Sequence, residues 1–135
     1  MSLAELGSLG EFVSAIAVVI SILYLAYQIR QNTKMMQGST VQAITETIQA
    51  ENKWSSELGP IYVKMIQGEE LSWLDEFQLG EWLTAAFTAR QNEYYQHRNG
   101  LLDKEMWQAS EGIIRSIMVN PFAKIWWKRF DKILI

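Results

Sequence analysis

The feature that most constrains this chain is an uninterrupted apolar segment close to its N-terminus. Residues 12–29 read FVSAIAVVISILYLAYQI and contain no charged side chain. Eighteen helical residues extend over roughly 27 Å, close to the ~30 Å hydrocarbon core of a bilayer. Tyr24 and Tyr27 lie near one end, where aromatic rings favour the membrane interface, and Arg30 follows. The segment predicts one transmembrane helix at residues 12–29, with its flanks within residues 1–34.

Two other interpretations of this segment stay open. A cleaved signal peptide is disfavoured, because Glu5 and Glu11 precede the apolar run without any cation and no A-x-A pattern follows it. A helix that is apolar all round can also be the buried core helix of a soluble protein.

The charges that flank the segment predict its orientation. Arg30 and Lys34 are the first cations of the chain, whereas Glu5 and Glu11 lie on the other side of the span. Because cytoplasmic flanks carry an excess of Lys and Arg, residues 35–135 are predicted to be cytoplasmic and the N-terminus to lie outside. We therefore expect a single-pass protein of the inner (cytoplasmic) membrane.

One side of the predicted span carries small residues at spacings of three or four. Small side chains let two membrane helices approach closely, so this stripe is a candidate oligomer or partner interface. The alternative is that Gly, Ala and Ser are simply common in membrane helices. The candidate interface consists of Gly10, Ser14, Ala17 and Ser21, and Gly7 extends it.

The remaining sequence is punctuated by helix start and stop signals and shows no sustained alternation typical of strands. A helix from Ser39 or Thr40 to about Glu57 is expected, either separate from the membrane helix or continuous with it through Gly38. Four further segments are predicted to be helical: a short one between Pro60 and Gly68, a long one from Ser72 to Arg98, one that begins at Asp103, and one that begins at Asn120-Pro121. The fold class is all-α: one N-terminal transmembrane helix followed by a small helical bundle.

The long helix has a broad predicted apolar face. Its members are Trp73, Phe77, Leu83, Phe87 and Tyr94.

Composition excludes several function classes. The chain has no cysteine, so disulfides, zinc–thiolate sites and thiol catalysis are excluded. The net charge of −3 gives no support for nucleic-acid binding. No Gly-rich phosphate loop follows a strand, no recognisable catalytic motif is present, and no cofactor is predicted.

Glu93 and His97 form the candidate functional pair of the predicted bundle. They lie one helical turn apart on the long helix, and His97 is the only histidine. Di-iron bundles use Glu-x-x-His pairs on two helices, whereas the spacing here is Glu-x-x-x-His and occurs once. The alternative is a surface or half-buried hydrogen bond near a helix end.

The C-terminal segment PFAKIWWKRFDKILI is basic and amphipathic. Such a helix can lie in an anionic membrane interface, with its tryptophans and cations in contact with lipid. Alternatively, its apolar face closes the bundle core. That face comprises Phe122, Ile125, Trp126, Phe130 and Ile133, and the candidate membrane-surface residues are Lys124, Trp126, Trp127, Lys128 and Arg129.

Three stretches together resemble one family. The opening GEFVSAIAVVISILYLAYQIRQNTK is similar to the GEF-x-GAIAVV and LxYLAxQIRQNT patterns of a family of short, uncharacterised bacterial proteins with one N-terminal span. NEYYQHRNGLLDKEMW resembles the middle motif of that family, and NPFAKIWWKRF resembles its tryptophan-containing end. Ser14 departs from the glycine of the pattern, and the chain ends soon after Phe130, where relatives continue. The resemblance implies a membrane anchor and a helical fold but no activity.

The sequence favours a non-enzymatic, membrane-anchored interaction protein whose partners are membrane lipid and either further copies of itself or other membrane-protein subunits. The alternative is a helical bundle that binds a ligand or metal, or an enzyme, centred on Glu93 and His97. A pore formed by the assembled span has weaker support, because Ser14, Ser21 and Gln28 are polar but uncharged.

Overall fold

A computed structural model describes residues 2–130 of the chain, and all the regular elements within that range are helices. The helices are α1 (Leu3–Glu57), α2 (Gly59–Gln67), α3 (Trp73–Arg98), α4 (Lys104–Ile117) and α5 (Pro121–Phe130). The prediction of an all-α protein with a long apolar N-terminal helix is confirmed. The chain divides into two compact units, one that ends at Gly38 and one that begins at Ser39.

The first unit is the N-terminal part of α1. A stretch of 18 residues in this helix is strongly apolar, and none of it is buried by the described residues of the chain. By length and composition, α1 can therefore cross a membrane. Of the two arrangements left open for the helix that ends near Glu57, the structure has the continuous one: α1 passes through Gly38 without a break.

The second unit begins with the C-terminal part of α1, and its helix ends follow the chemistry of their residues. Pro60 lacks a backbone N–H and its ring opposes helical continuation, which accounts for the end of α1 at Glu57 and the start of α2 at Gly59. Gly68 ends α2 with φ at 72°, a conformation that favours glycine. Its neighbour Glu69 donates its backbone N–H to the carbonyl of Lys64 at 3.0 Å.

The start of α3 combines a capping box with an ion pair. Ser72 Oγ accepts from the backbone N–H of Asp75 at 3.2 Å, and Asp75 Oδ2 accepts from the backbone N–H of Ser72 at 2.9 Å. Lys64 of α2 donates to the same carboxylate oxygen at 2.8 Å. Together these donors lower the pKa of Asp75 to about 2, with the Lys64 hydrogen bond as the largest cause. The cap thereby ties α2 to α3.

The core of the second unit lies along α3. One cluster joins Leu83 and Phe87 of α3 to Ala123 and Trp126 of α5, and a second joins Leu79 to Leu58 and Ile61. The half-buried Trp82 and Phe122 pack against both clusters. Only part of the predicted apolar face of α3 contributes to this core: Leu83 and Phe87 are buried, whereas Trp73, Phe77 and Tyr94 are exposed by 76%, 50% and 47%.

Candidate functional site

Three charged side chains of the second unit meet inside the protein. Arg90 Nη2 donates to Glu51 Oε2 at 3.0 Å and lies 2.9 Å from Glu93 Oε1. The side chains of Arg90 and Glu93 are each 2% exposed, and that of Glu51 is 14% exposed. We call Glu51, Arg90 and Glu93 the Arg90 cluster. Because charged side chains are rarely this buried, the cluster is the strongest candidate site in the described residues.

The spacing of α3 explains why two of these charges are inside. Leu79, Leu83 and Ala86 form the buried stripe of the helix, at successive steps of four and three residues. The next steps of four and three residues along this stripe are Arg90 and Glu93, which are therefore directed into the core. Glu51 comes from α1 and supplies the second carboxylate.

The Arg90 cluster is incompletely hydrogen-bonded. Glu51 Oε1, Arg90 Nε, Arg90 Nη1 and both oxygens of Glu93 are buried and have no hydrogen-bond partner among the described residues of the chain. The Arg90–Glu93 contact has the distance of an ion pair without the angles of a hydrogen bond. Two carboxylates against one guanidinium give the cluster a formal charge of −1. Unpartnered buried polar atoms are costly for stability and often mark functional sites.

Burial dominates the electrostatics of Glu51. Removal from water raises the pKa of its carboxyl group, and the nearby carboxylate of Glu93 raises it further. The positive charge and the hydrogen bond of Arg90 act in the opposite direction without cancelling these effects. The guanidinium of Arg90 is thus insufficient to offset the combined effect of burial and of the Glu93 carboxylate on the pKa of Glu51.

A polar groove lies on one side of the cluster. It has a volume of about 240 Å³ and is open to solvent. Its buried lining residues are Ile44 and Glu93, while the other lining residues are exposed or half-buried. These others are Ser39, Thr40, Ala43, Thr47, Ala89, Asn92 and Gln96. Most of them carry hydroxyl or carboxamide groups, so the groove can hydrogen-bond to a polar ligand.

An aromatic cleft of about 270 Å³ is lined by Arg90 together with rings from α3, α4 and α5. Tyr94 packs on Trp107 with ring centroids 5.2 Å apart, and Phe87 lies 4.9 Å from Trp127 by the same measure. The Arg90 cluster therefore has a polar groove at Glu93 and an aromatic cleft at Arg90.

The structure gives the predicted pair Glu93 and His97 different partners. Glu93 contacts Arg90, whereas His97 Nδ1 lies 3.0 Å from the backbone carbonyl oxygen of Leu102 and the His97 ring stacks on Trp107 at 6.0 Å. The carbonyl can only accept, so this contact requires Nδ1 to carry the proton. Residues 2–130 contain no group of three or more His, Cys, Asp or Glu that could hold a metal ion.

The stripe of small residues in the N-terminal unit is exposed in the described part of the chain. Its members Gly10, Ser14, Ala17 and Ser21 are all exposed. Ser21 Oγ donates to the backbone carbonyl of Ala17 at 2.8 Å, which satisfies the hydroxyl within the helix. A Cβ atom added at Gly10 would have no heavy-atom neighbour within 4 Å outside the local backbone. The stripe is therefore available for contact with another helix.

The C-terminal helix α5 packs onto the bundle through Trp126. This tryptophan is 5% exposed and stacks on Phe87 at 5.5 Å, and Trp127 is half-buried. Trp126 thus closes the core, as in the second of the two interpretations. The cations Lys124, Lys128 and Arg129 are exposed, which leaves a membrane contact through them as a prediction. Of the predicted apolar face, Ile125 is exposed, and Ile133 and the side chain of Phe130 lie outside the described residues.

Sequence reasoning identified Glu93 but missed Arg90 and Glu51. A signal for Arg90 was present, because it continues the four-and-three spacing of the apolar residues Leu79, Leu83 and Ala86. Glu51 carries no comparable local signal. It is paired with a residue 39 positions away, so only the packing of α1 on α3 identifies it.

Comparison of the chain with models of known protein families, with curated proteins and with solved structures finds no match. The candidate site is therefore defined by its own geometry: a buried, incompletely hydrogen-bonded ion cluster between a polar groove and an aromatic cleft.

Proposed function

We propose that this protein is a non-enzymatic, membrane-anchored interaction protein that either self-assembles or serves as an accessory subunit of a larger membrane complex. The observation that carries the proposal is the N-terminal part of α1, whose 18-residue apolar window is wholly exposed. Apolar surface of this extent is unfavourable in water, and lipid or partner helices would cover it.

The proposed location is the inner membrane of a bacterium, with one span, the N-terminus outside and the helical domain in the cytoplasm. Arg30 and Lys34 on the proposed cytoplasmic side, against Glu5 and Glu11 on the other, support this orientation. The resemblance of three sequence stretches to a family of bacterial proteins with one N-terminal span supports the same location. The proposed partners are membrane lipid and other membrane helices, and no role in nucleic-acid binding is proposed.

The proposed interface within the membrane is the exposed stripe that includes Gly10, Ser14, Ala17 and Ser21. Helix association in lipid depends on close packing, which small side chains permit and leucine prevents. A partner helix that packs on this stripe would bring its backbone close to that of α1. The same packing would serve a homo-oligomer or a complex with a foreign subunit.

The test is native mass spectrometry of the tagged full-length protein, gently extracted from its own membranes. A single species with the mass of two or more chains of 15.6 kDa would support self-assembly, and a species with foreign subunits would support an accessory role. A monomer that carries neither partner would contradict the proposal. Recovery of the protein in the soluble fraction, without detergent, would contradict the membrane anchor itself.

A matched pair of variants locates the interface. Ser14→Leu with Ala17→Leu adds bulk to the stripe and should dissociate the assembly. Ala15→Leu with Ala26→Leu adds similar bulk on a different side of the helix, because successive residues are separated by about 100°. The control should keep the native assembly mass. Loss of assembly in both variants, or in neither, would contradict the assignment of the stripe.

A further inference from the structure

One lining residue of the polar groove, Glu93, has a buried carboxylate whose hydrogen-bonding capacity is unused. Glu93 is 1% exposed and lines the groove, and neither of its oxygens accepts a hydrogen bond from the described residues. A carboxylate can accept about four hydrogen bonds, so a donor group in the groove would find strong acceptors. The exposed walls, which include Thr47 and Asn92, can change rotamer rapidly and open a path to it.

The net charge of the Arg90 cluster indicates the sign of the charge that a ligand should carry. Glu51 and Glu93 outnumber Arg90, and the groove lining contains no Lys or Arg. A cation beside Glu93 would bring the cluster to electrical neutrality, whereas an anion would increase the buried excess of negative charge. The groove therefore fits a cation.

The lining selects the kind of cation. Divalent metal ions prefer several oxygen ligands, usually with more than one carboxylate, whereas Glu93 is the only acidic residue of the lining. A primary ammonium has three donors, which match the Glu93 carboxylate and neighbouring hydroxyl or carboxamide oxygens. The groove volume of about 240 Å³ is below the range of about 300–1,000 Å³ typical of sites for drug-sized ligands, so the ligand is small.

We propose that the groove between α1 and α3 binds a small polar molecule through a primary ammonium group held by Glu93. The hydroxyl and carboxamide side chains of the wall contact the polar body of the ligand. The site is independent of the proposed membrane assembly, because all of its residues belong to the unit that begins at Ser39. This assignment replaces the predicted Glu93–His97 pair with Glu93 alone.

The experiment is isothermal titration of the detergent-solubilised full-length protein with ethanolamine hydrochloride, at neutral pH and constant ionic strength. Ethylene glycol is the matched neutral probe, because it replaces the ammonium group with a hydroxyl. The expected result is saturable binding of one ethanolamine per chain and no saturable binding of ethylene glycol. Binding of both probes, or of neither, would overturn the proposal.

Two variants test the location of the ammonium site. Glu93→Gln removes the charge and should weaken ethanolamine binding about tenfold or more, the loss expected for a charge-assisted hydrogen bond. Glu81→Gln removes an exposed charge from the same helix and should bind as the wild type does. Unchanged affinity in the folded Glu93→Gln variant would overturn the assignment.

A further pair of variants tests the groove without changing any residue of the Arg90 cluster. Ala43 lines the groove and is exposed, so Ala43→Leu should fill the groove without disturbing the fold. Ala50→Leu makes the same change at an exposed position of α1 outside the groove lining. Ethanolamine binding should be lost in the first variant and retained in the second. Equal binding in both would show that the ligand lies elsewhere and would overturn the proposal.

Discussion

Arg90 and Glu93 form an ion pair one helical turn apart, with 2.9 Å between Nη2 and Oε1 and with both side chains 2% exposed. An i,i+3 pair on a helix surface contributes a few tenths of a kcal/mol, about 0.2–0.5 kcal/mol. Inside the protein both members of the pair have lost their hydration. Removal of one member therefore destabilises the fold far more than formation of the pair stabilises it, because the remaining charge is left buried without a partner. This asymmetry is the basis of the first prediction.

Replacement of Arg90 by methionine should severely destabilise the unit that begins at Ser39. The variant leaves Glu51 and Glu93 buried without their cation, a loss of about 3–5 kcal/mol in the free energy of unfolding. Arg115→Met, at an exposed position, should lose less than about 1 kcal/mol. Thermal unfolding of both variants, followed by circular dichroism, makes the comparison. If the Arg90→Met variant and the Arg115→Met control unfolded at the same temperature, the Arg90 cluster would not contribute to the stability of the fold.

Simultaneous replacement of Arg90 and Glu93 should destabilise the fold less than Arg90→Met alone. In Arg90→Met with Glu93→Leu, one buried carboxylate disappears together with the guanidinium, and apolar side chains fill the space. The double-mutant cycle with Glu93→Leu should therefore give a coupling energy of about 1–3 kcal/mol. Strict additivity of the two single changes would indicate that the pair is not coupled.

Trp126 should be essential to the core of the unit that begins at Ser39. Its ring stacks on Phe87 and is 5% exposed, so Trp126→Ala leaves a cavity and should cost about 3–5 kcal/mol. The neighbouring Ile125 is 62% exposed, and Ile125→Ala should change stability by about 0.5 kcal/mol or less. Chemical denaturation separates the two variants. Equal midpoints would mean that α5 does not pack on α3 in solution.

Acid should release the tie between α2 and α3. The pKa of Asp75 is about 2 in the folded protein and its ordinary value is 3.8, so its ionised form stabilises the fold. This contribution is fully present well above the ordinary pKa of 3.8 and is lost as the pH falls through about 2. Asp75→Asn should lower stability at neutral pH and flatten the acid limb of the stability profile. An unchanged acid limb in this variant would assign the acid sensitivity to other groups.

The orientation of the span can be read from single cysteines, because the chain has none of its own. Ser8→Cys places a thiol before the apolar segment, and Gln108→Cys places one at an exposed position of α4. A membrane-impermeant maleimide should label the first variant in intact cells whose outer membrane has been permeabilised, and the second only after the inner membrane is opened. The reverse pattern would invert the proposed topology.

Local chemistry explains which parts of the fold were predictable. The predicted long helix corresponds to α3 at Trp73–Arg98, because the capping box at Ser72 and the Asn99-Gly100 pair encode its ends locally. Pro60 and Gly68 likewise mark α2. Such signals depend on backbone geometry within a few residues and need no knowledge of the tertiary packing.

The rest depended on tertiary packing. Trp73 and Phe77 belong to the predicted apolar face, yet they stack on each other at the surface, with ring centroids 5.5 Å apart. The buried stripe of α3 shares Leu83 with that face, but it also includes Leu79 and Arg90, and Arg90 is an unusual core residue that an apolar pattern omits. The groove at Glu93 could not be predicted, since it exists only where α1 and α3 meet.

The pairing of Glu51 with Arg90 also constrains the axial register of two helices. Apolar side chains alone would oppose a slip of α1 along α3 by one turn, about 5.4 Å, only weakly, because Leu, Ile and Ala tolerate one another as neighbours. The same slip would carry the Glu51 carboxylate away from Arg90 Nη2, which it meets at 3.0 Å, and would strand a buried charge. The ion pair thus adds little net stability of its own, but it raises the free energy of packings in which these two helices are displaced along each other.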